Sequence, residues 1–113
     1  MHFIETPLFT KQITELFTDD EYQQIQQELI KDPEKGVIIS GTAGMRKIRF
    51  GRNSGKSGGV RILYYYADEY GRIYMIVAYP KSVKDNITPA EKNVFKSWIQ
   101  QLKAELSRGQ TTL

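Results

Sequence analysis

Three β-forming runs follow one another too closely to be joined by anything but short turns. Met45–Phe50, Val60–Tyr66 and Arg72–Pro80 are separated by nine residues and then by five. A parallel connection needs a crossover of about a dozen residues or more, so these runs must form an antiparallel meander. Val60–Tyr66 is rich in strong β-formers, and Asp68-Glu69-Tyr70-Gly71 supplies the turn to the run after it. His2–Thr6 alternates weakly and reads as a short first strand, and Val37-Ile38-Ile39 is a short apolar run before the turn marked by Gly41 and Gly44.

Helices flank the meander. Pro7 suits the first turn of one helix, whose apolar stripe is Leu8, Ile13, Leu16 and Phe17. Thr18-Asp19-Asp20-Glu21 is a capping box, with its acids at the positive end of the helix dipole. Tyr22, Ile25, Leu29 and Ile30 recur at helical spacing behind it until Asp32-Pro33 stops the chain. Thr88-Pro89-Ala90-Glu91 repeats the start signal, and Phe95, Trp98, Ile99, Leu102 and Leu106 make one apolar stripe up to Arg108-Gly109. The expected fold is α+β in a single domain over residues 1–113. It has two N-terminal helices, an antiparallel sheet of three to four strands and a C-terminal amphipathic helix.

Charge is unevenly spread. Residues 1–40 hold three Lys/Arg against eight Asp/Glu, whereas residues 41–66 hold six (Arg46, Lys47, Arg49, Arg52, Lys56, Arg61) against none. Such a segment is either a solvated basic face or a footprint for a polyanion. No apolar run approaches the ~18–20 residues that span a bilayer, and Glu5 and Pro7 interrupt any signal-peptide pattern, so a cytoplasmic protein with no membrane partner is expected. There is no cysteine and a single histidine, His2, which removes Ser-His-Asp and Cys-His chemistry and two-histidine metal sites. No metal or cofactor is expected.

Other chemistry is weakly signalled. Gly55-Lys56-Ser57 resembles the tail of a phosphate-binding loop, but Phe50 stands where its first glycine belongs and a strand follows instead of a helix. Asp68 and Glu69 are explained by the turn, and Asp19, Asp20 and Glu21 by capping. The strand-borne cations are harder to dismiss. Alternation puts Arg46, Ile48 and Phe50 on one face and Met45, Lys47 and Arg49 on the other. Lys47 and Arg49 then share a face with Arg61 on the next strand, and the third strand ends in Tyr79-Pro80-Lys81. Like charges facing each other destabilise a sheet, which a bound anion would relieve. A lysine among cations has its protonated form disfavoured and suits a general base toward a ribose 2′-hydroxyl. Arginines suit the scissile phosphate, and Tyr65 or Tyr79 suits stacking on a base.

The order of elements and three runs carry a resemblance across nearly the whole chain, from about Phe3 to Leu106. The runs are Gly-x-x-Gly-hydrophobic-Arg-Lys-Ile-Arg (Gly41 to Arg49), Gly-Gly-x-Arg-Ile-hydrophobic-Tyr-Tyr (Gly58 to Tyr65), and Tyr-x-Lys followed by Lys-x-Asn (Tyr79 to Asn86). Together they resemble the RelE/ParE toxin superfamily, and within it the HigB branch of bacterial toxin–antitoxin systems. The resemblance implies a ribosome-dependent endoribonuclease, an mRNA interferase that enters the A site near the 16S rRNA and cuts mRNA, using 2′-hydroxyl attack without a metal. It also implies a cognate antitoxin with a helix-turn-helix domain, through which alone operator DNA is reached. Carried over by position, Lys47, Arg49, Arg61 and Lys81 are the implied catalytic set, with the base open between Lys47 and Lys81. Arg46, Lys56, Tyr65, Tyr79 and Lys84 are the implied RNA contacts. Two departures stand out: Ser82 follows Lys81 where RelE has an arginine, and no tyrosine follows Tyr79. Tyr79, Tyr65 or Lys84 would have to take that tyrosine's part. Rival readings are a ParE-like toxin of DNA gyrase and a non-catalytic RNA-binding module.

Overall fold

The computed structural model describes residues 1–51, 59–84 and 86–109. In chain order the elements are β1 (His2–Glu5), α1 (Pro7–Leu16), α2 (Asp19–Lys31), β2 (Val37–Ile38), β3 (Arg46–Phe50), β4 (Val60–Ala67), a 3₁₀ turn (Asp68–Tyr70), β5 (Arg72–Pro80) and α3 (Pro89–Ser107). The α+β architecture is the expected one, with three helices and a sheet. The sheet has five strands in the order β1-β5-β4-β3-β2. It is one strand wider than expected and not wholly antiparallel, because β1 joins the outer side of β5 in parallel, with Phe3 opposite Ile73. The α1–α2 pair carries the chain from β1 at one edge of the sheet to β2 at the other, and β3 and β4 lead back to β5.

Local signals start each helix. Thr18 and Thr88 each accept a hydrogen bond from the backbone N–H of the glutamate three residues on, and that glutamate reaches back to the threonine N–H. These capping boxes satisfy N–H groups that have no partner within the helix. Helices cover both faces of the sheet. Phe9, Ile13, Ile25 and Leu29 from α1 and α2, with Phe17 between the two helices, pack on Ile48, Ile62, Tyr64, Ile73 and Met75. Ile99 of α3 packs against Met45, Leu63, Ile76 and Tyr79, while Leu102 and Leu106 meet Tyr74 and Ala67. A strand covered on both sides reads as a nearly continuous apolar run, which is why β4 and β5 show little alternation.

The β4–β5 pairing carries one irregularity. Leu63 lies opposite Val77 but Tyr64 lies opposite Met75, so Ile76 is an extra residue on β5. The bulge places both Ile76 and Val77 on the α3 side. The backbone of β5 beyond the end of β1 is satisfied by α1 and its cap. Thr6 Oγ1 donates to the Ile76 carbonyl at 2.7 Å, and the Ala78 N–H donates to Gln12 Oε1 at 2.9 Å. That stretch of sheet edge is therefore closed to further strand pairing.

Candidate functional site

The turn before β3 sets where its cations point. Gly41, Ala43 and Gly44 all have positive φ, at 78°, 62° and 115°. Thr42, fully buried, donates from Oγ1 to the Ile39 carbonyl at 2.6 Å and accepts from the Met45 N–H at 3.1 Å. Lys103 of α3 adds a hydrogen bond from Nζ to the Ala43 carbonyl at 2.6 Å. The turn is thus tied to its own strands and to α3, and β3 leaves it with Lys47 and Arg49 on the α3 face.

On that face the antiparallel register lines up three side chains. Arg49 lies opposite Arg61, and Arg61 lies opposite Tyr79. Lys47, half-buried, lies opposite Leu63 one pair further along. Two cations facing each other across neighbouring strands repel, an arrangement that a bound phosphate turns into an attraction. Gly59 is required beside them: its φ is +63°, and a Cβ there would stand 2.8 Å from the Phe50 carbonyl oxygen and 3.1 Å from Arg49 Nε. Lys81, exposed just after β5, has its backbone N–H bonded to the Gly59 carbonyl at 3.2 Å. The end of β5 is thereby held beside the start of β4.

Next to this row is a recess of about 120 Å³ lined by Ile39, Lys47, Leu63, Tyr79, Asn86, Ile87 and Lys92. Lys47 Nζ lies 3.5 Å from Asn86 Oδ1, a long hydrogen bond joining β3 to the segment before α3. Residue type and spacing alone do not mark Asn86 or Lys92 as site residues. The one sequence signal is that Lys92 directly follows the capping Glu91, near the helix end where the dipole disfavours a cation. A larger hollow of about 640 Å³ runs along α2, but Asp20, Glu21 and Glu28 line it, so it does not suit a polyanion.

Lys47, Arg49, Arg61 and Tyr79 are therefore brought together, with Lys81 at the strand end. The other expected RNA contacts are placed elsewhere. Arg46 lies on the opposite face, its side chain 18% exposed, and donates to the carbonyls of Glu34 at 3.0 Å and Gly36 at 2.7 Å and to the Glu34 carboxylate at 3.4 Å. It clamps the α2–β2 connection, on the face away from Lys47 and Arg49. Arg46→Ala is accordingly expected to lower stability by about 1–3 kcal/mol in urea unfolding, leaving two carbonyls without that donor, while the nucleic-acid affinity of the folded protein is unchanged.

Lys84 is ion-paired with Glu91, and that hydrogen bond holds the Glu91 carboxyl below the usual carboxylate range. The lysine secures the α3 capping box and is not poised for a substrate. Tyr65 shares the α3 face but lies four residues along β4 from Arg61, roughly 13 Å at strand rise. It is half-buried beneath Lys103, whose Nζ is 5.6 Å from the ring centroid, with Tyr74 at 6.4 Å. Burial, then Asp68 and Glu69, push its phenol up from the ordinary value. Lys56 lies outside the described residues.

Known proteins share this outline. Residues 9–111 match the model of the family described as the RelE toxin of the RelE/RelB toxin–antitoxin system. Among solved structures, the chain is similar to a double arginine-to-alanine mutant of the E. coli toxin RelE in the free state, with a TM-score of 0.56 and 17% identity, covering 74% of this chain and 86% of that one. It is also similar to the intact E. coli RelBE toxin–antitoxin complex, with a TM-score of 0.54 and 17% identity, covering 68% of this chain and 92% of that one. At such identity the two structures establish a shared fold. Among the described residues no helix is long and apolar enough to cross a membrane.

Proposed function

Since the chain belongs to the RelE toxin family of RelE/RelB toxin–antitoxin systems, we propose that it is a cytoplasmic, ribosome-dependent endoribonuclease of the HigB branch. It cuts mRNA in the ribosomal A site and is held in check by a cognate antitoxin. The observation that carries this reading is the pairing of Arg49 with Arg61 on the face that also holds Lys47 and Tyr79. A toxin that blocks a protein target has no evident use for cations converging at one end of a sheet, whereas a scissile phosphate needs them.

The 2′-oxygen attacks phosphorus in line, its proton passes to a lysine, and the 5′-oxygen of the next nucleotide leaves with a proton. The products are a 2′,3′-cyclic phosphate and a 5′-hydroxyl. Arg49 and Arg61 bind the non-bridging oxygens and stabilise the charge that grows on them. Lys47, half-buried and held against Asn86, is better positioned to take the proton than Lys81 at the exposed strand end. Tyr79, buried beside Arg61, gives the substrate an aromatic wall. The ribosome holds the mRNA extended and so supplies the orientation that a small open site lacks.

Primer extension on a reporter mRNA in a purified translation system tests this, with and without ribosomes, using the wild-type chain and Arg61→Ala. Cuts within A-site codons are expected only with ribosomes, and Arg61→Ala should weaken them by about a hundredfold or more. Intact mRNA with growth arrest in expressing cells would overturn the nuclease reading in favour of a gyrase-type target.

A further inference from the structure

We infer that Lys103 is a positioning residue for the cutting reaction: from α3 it holds the left-handed turn that begins β3, and through that strand it sets where Lys47 and Arg49 meet the RNA. Resting on the nuclease reading of that face, this role adds to it a residue that touches no reacting atom.

The turn is held against its own preference. Ala43 adopts a φ of 62°, a left-handed conformation that is costly for a residue with a Cβ and persists where surrounding groups impose it. Thr42 fixes one side of the turn from within. On the other side the Ala43 carbonyl takes the Lys103 ammonium at 2.6 Å. Gly44 lies against the same group and its aromatic neighbour: a Cβ there would stand 3.4 Å from Tyr65 Cε1 and 3.8 Å from Lys103 Nζ. The ammonium is itself 5.6 Å from the Tyr65 ring centroid, within cation–π reach. Lys103, Tyr65 and the turn therefore form one unit that joins α3, β4 and the start of β3.

Pairing with β4 fixes the register of β3, and buried Met45 fixes its depth. Its tilt against α3 has fewer supports. The outer neighbour, β2, is two residues long, and Val37 and Ile38 are 71% and 49% exposed, so that edge adds little packing. The tie from Lys47 to Asn86 is long, at 3.5 Å. Lys47 and Arg49 lie four and six residues beyond Ala43, so a change of tilt at the turn is carried to both. Misplacing such groups by about 1 Å slows a reaction by up to about a hundredfold. An exposed lysine bonded to a carbonyl, by contrast, adds little to global stability. Rate and stability should therefore separate.

Single-turnover cutting on stalled ribosomes, over a range of toxin concentrations, is measured for wild type, Lys103→Ala, Lys103→Arg, Ala43→Gly and the double variant Lys103→Ala with Ala43→Gly. Thermal midpoints and the amide NMR signals of residues 46–50 are recorded alongside. Lys103→Ala is expected to lower the maximal rate about tenfold, with the half-saturating concentration unchanged, the β3 amides shifted and the midpoint within about 3 °C of wild type. Lys103→Arg keeps the charge and the donor and should restore most of the rate. Glycine adopts positive φ freely, so the double variant should regain about threefold or more over Lys103→Ala. A Lys103→Ala rate equal to wild type overturns the inference and leaves the nuclease reading standing. So does a half-saturating concentration that rises at constant maximal rate, which makes Lys103 a ribosome contact. So does a double variant that regains nothing while the midpoints fall in step, which makes the bond purely structural. No cutting by wild type ends the nuclease reading, and the β3 amides then decide the rest. Shifted by Lys103→Ala and returned by Ala43→Gly, they keep the hold of Lys103 on β3; unmoved, they end it.

Discussion

Removing Arg49 and Arg61 together is expected to lower the rate of ribosome-dependent cutting about a thousandfold, while each single alanine variant loses about a hundredfold. The deficit is less than the product of the single losses because both side chains face one position. The two residues are directly opposite in the β3–β4 register, and groups that act as a unit on one phosphate are strongly non-additive. Single-turnover rates on stalled ribosomes measure this, with a double-mutant cycle separating the coupling from the individual terms. Arg→Lys at either position keeps the charge but not the planar fork, and is expected to recover only part of the loss. The fold is not at stake. Arg49 is exposed and Arg61 only half-buried, so the thermal midpoints should stay within about 3 °C of wild type. Full additivity of the two losses would show that the arginines serve separate sites.

Tyr64→Ala is expected to cost about 3–5 kcal/mol through the cavity alone, a large share of the ~5–15 kcal/mol that holds a domain of this size together. Tyr64 is 0% exposed and sits in the core beneath α1 and α2. Its hydroxyl accepts the Gly36 N–H at 2.9 Å and donates to the Pro33 carbonyl at 2.8 Å. The ring leaves no room at Gly36, where a Cβ would come within 2.8 Å of Tyr64 Cε1 and Oη. Tyr64→Phe keeps the volume but strands those two backbone groups, for about 1–3 kcal/mol. Urea unfolding of the three proteins should rank them wild type, Phe, then Ala, and equal midpoints for wild type and Phe would show that the hydroxyl bridge adds nothing.

The same residue gives an alkaline signature. Burial raises the Tyr64 phenol above its ordinary value of 10.0, partly offset by the Gly36 hydrogen bond. The folded state therefore holds this proton more tightly than the unfolded chain does. That share of stability is complete below pH 10 and is lost as pH rises through the folded-state value.

Much of the molecule is written in its local sequence. Both capping boxes lie within four residues, and a threonine with a glutamate three positions on forms the same pair of hydrogen bonds in any context that lets a helix begin. The placement of Lys47 and Arg49 on one face and Arg46 on the other follows from strand alternation, because successive side chains point to opposite sides. The family resemblance rests on such short runs, and residues 9–111 match the RelE toxin family.

Tertiary structure decided the rest. Simple alternation along β5 would put Tyr79 on the same side as Ile73 and Met75, beneath α1 and α2. The extra residue at Ile76 reverses the phase and turns Tyr79 toward Arg61. No short-range rule forecasts that bulge, which is accommodated by Thr6 and Gln12 from 70 and 66 residues away along the chain. The roles of Lys84 and Asn86 have a similar origin. Identical in sequence to a free cation, Lys84 is committed to Glu91 by the path of the chain into α3, and Asn86 meets Lys47 across 39 residues. Charge and face are properties of a residue and its nearest neighbours, and so were legible in the sequence. Which charges meet depends on packing between distant segments, and only the folded chain determines that.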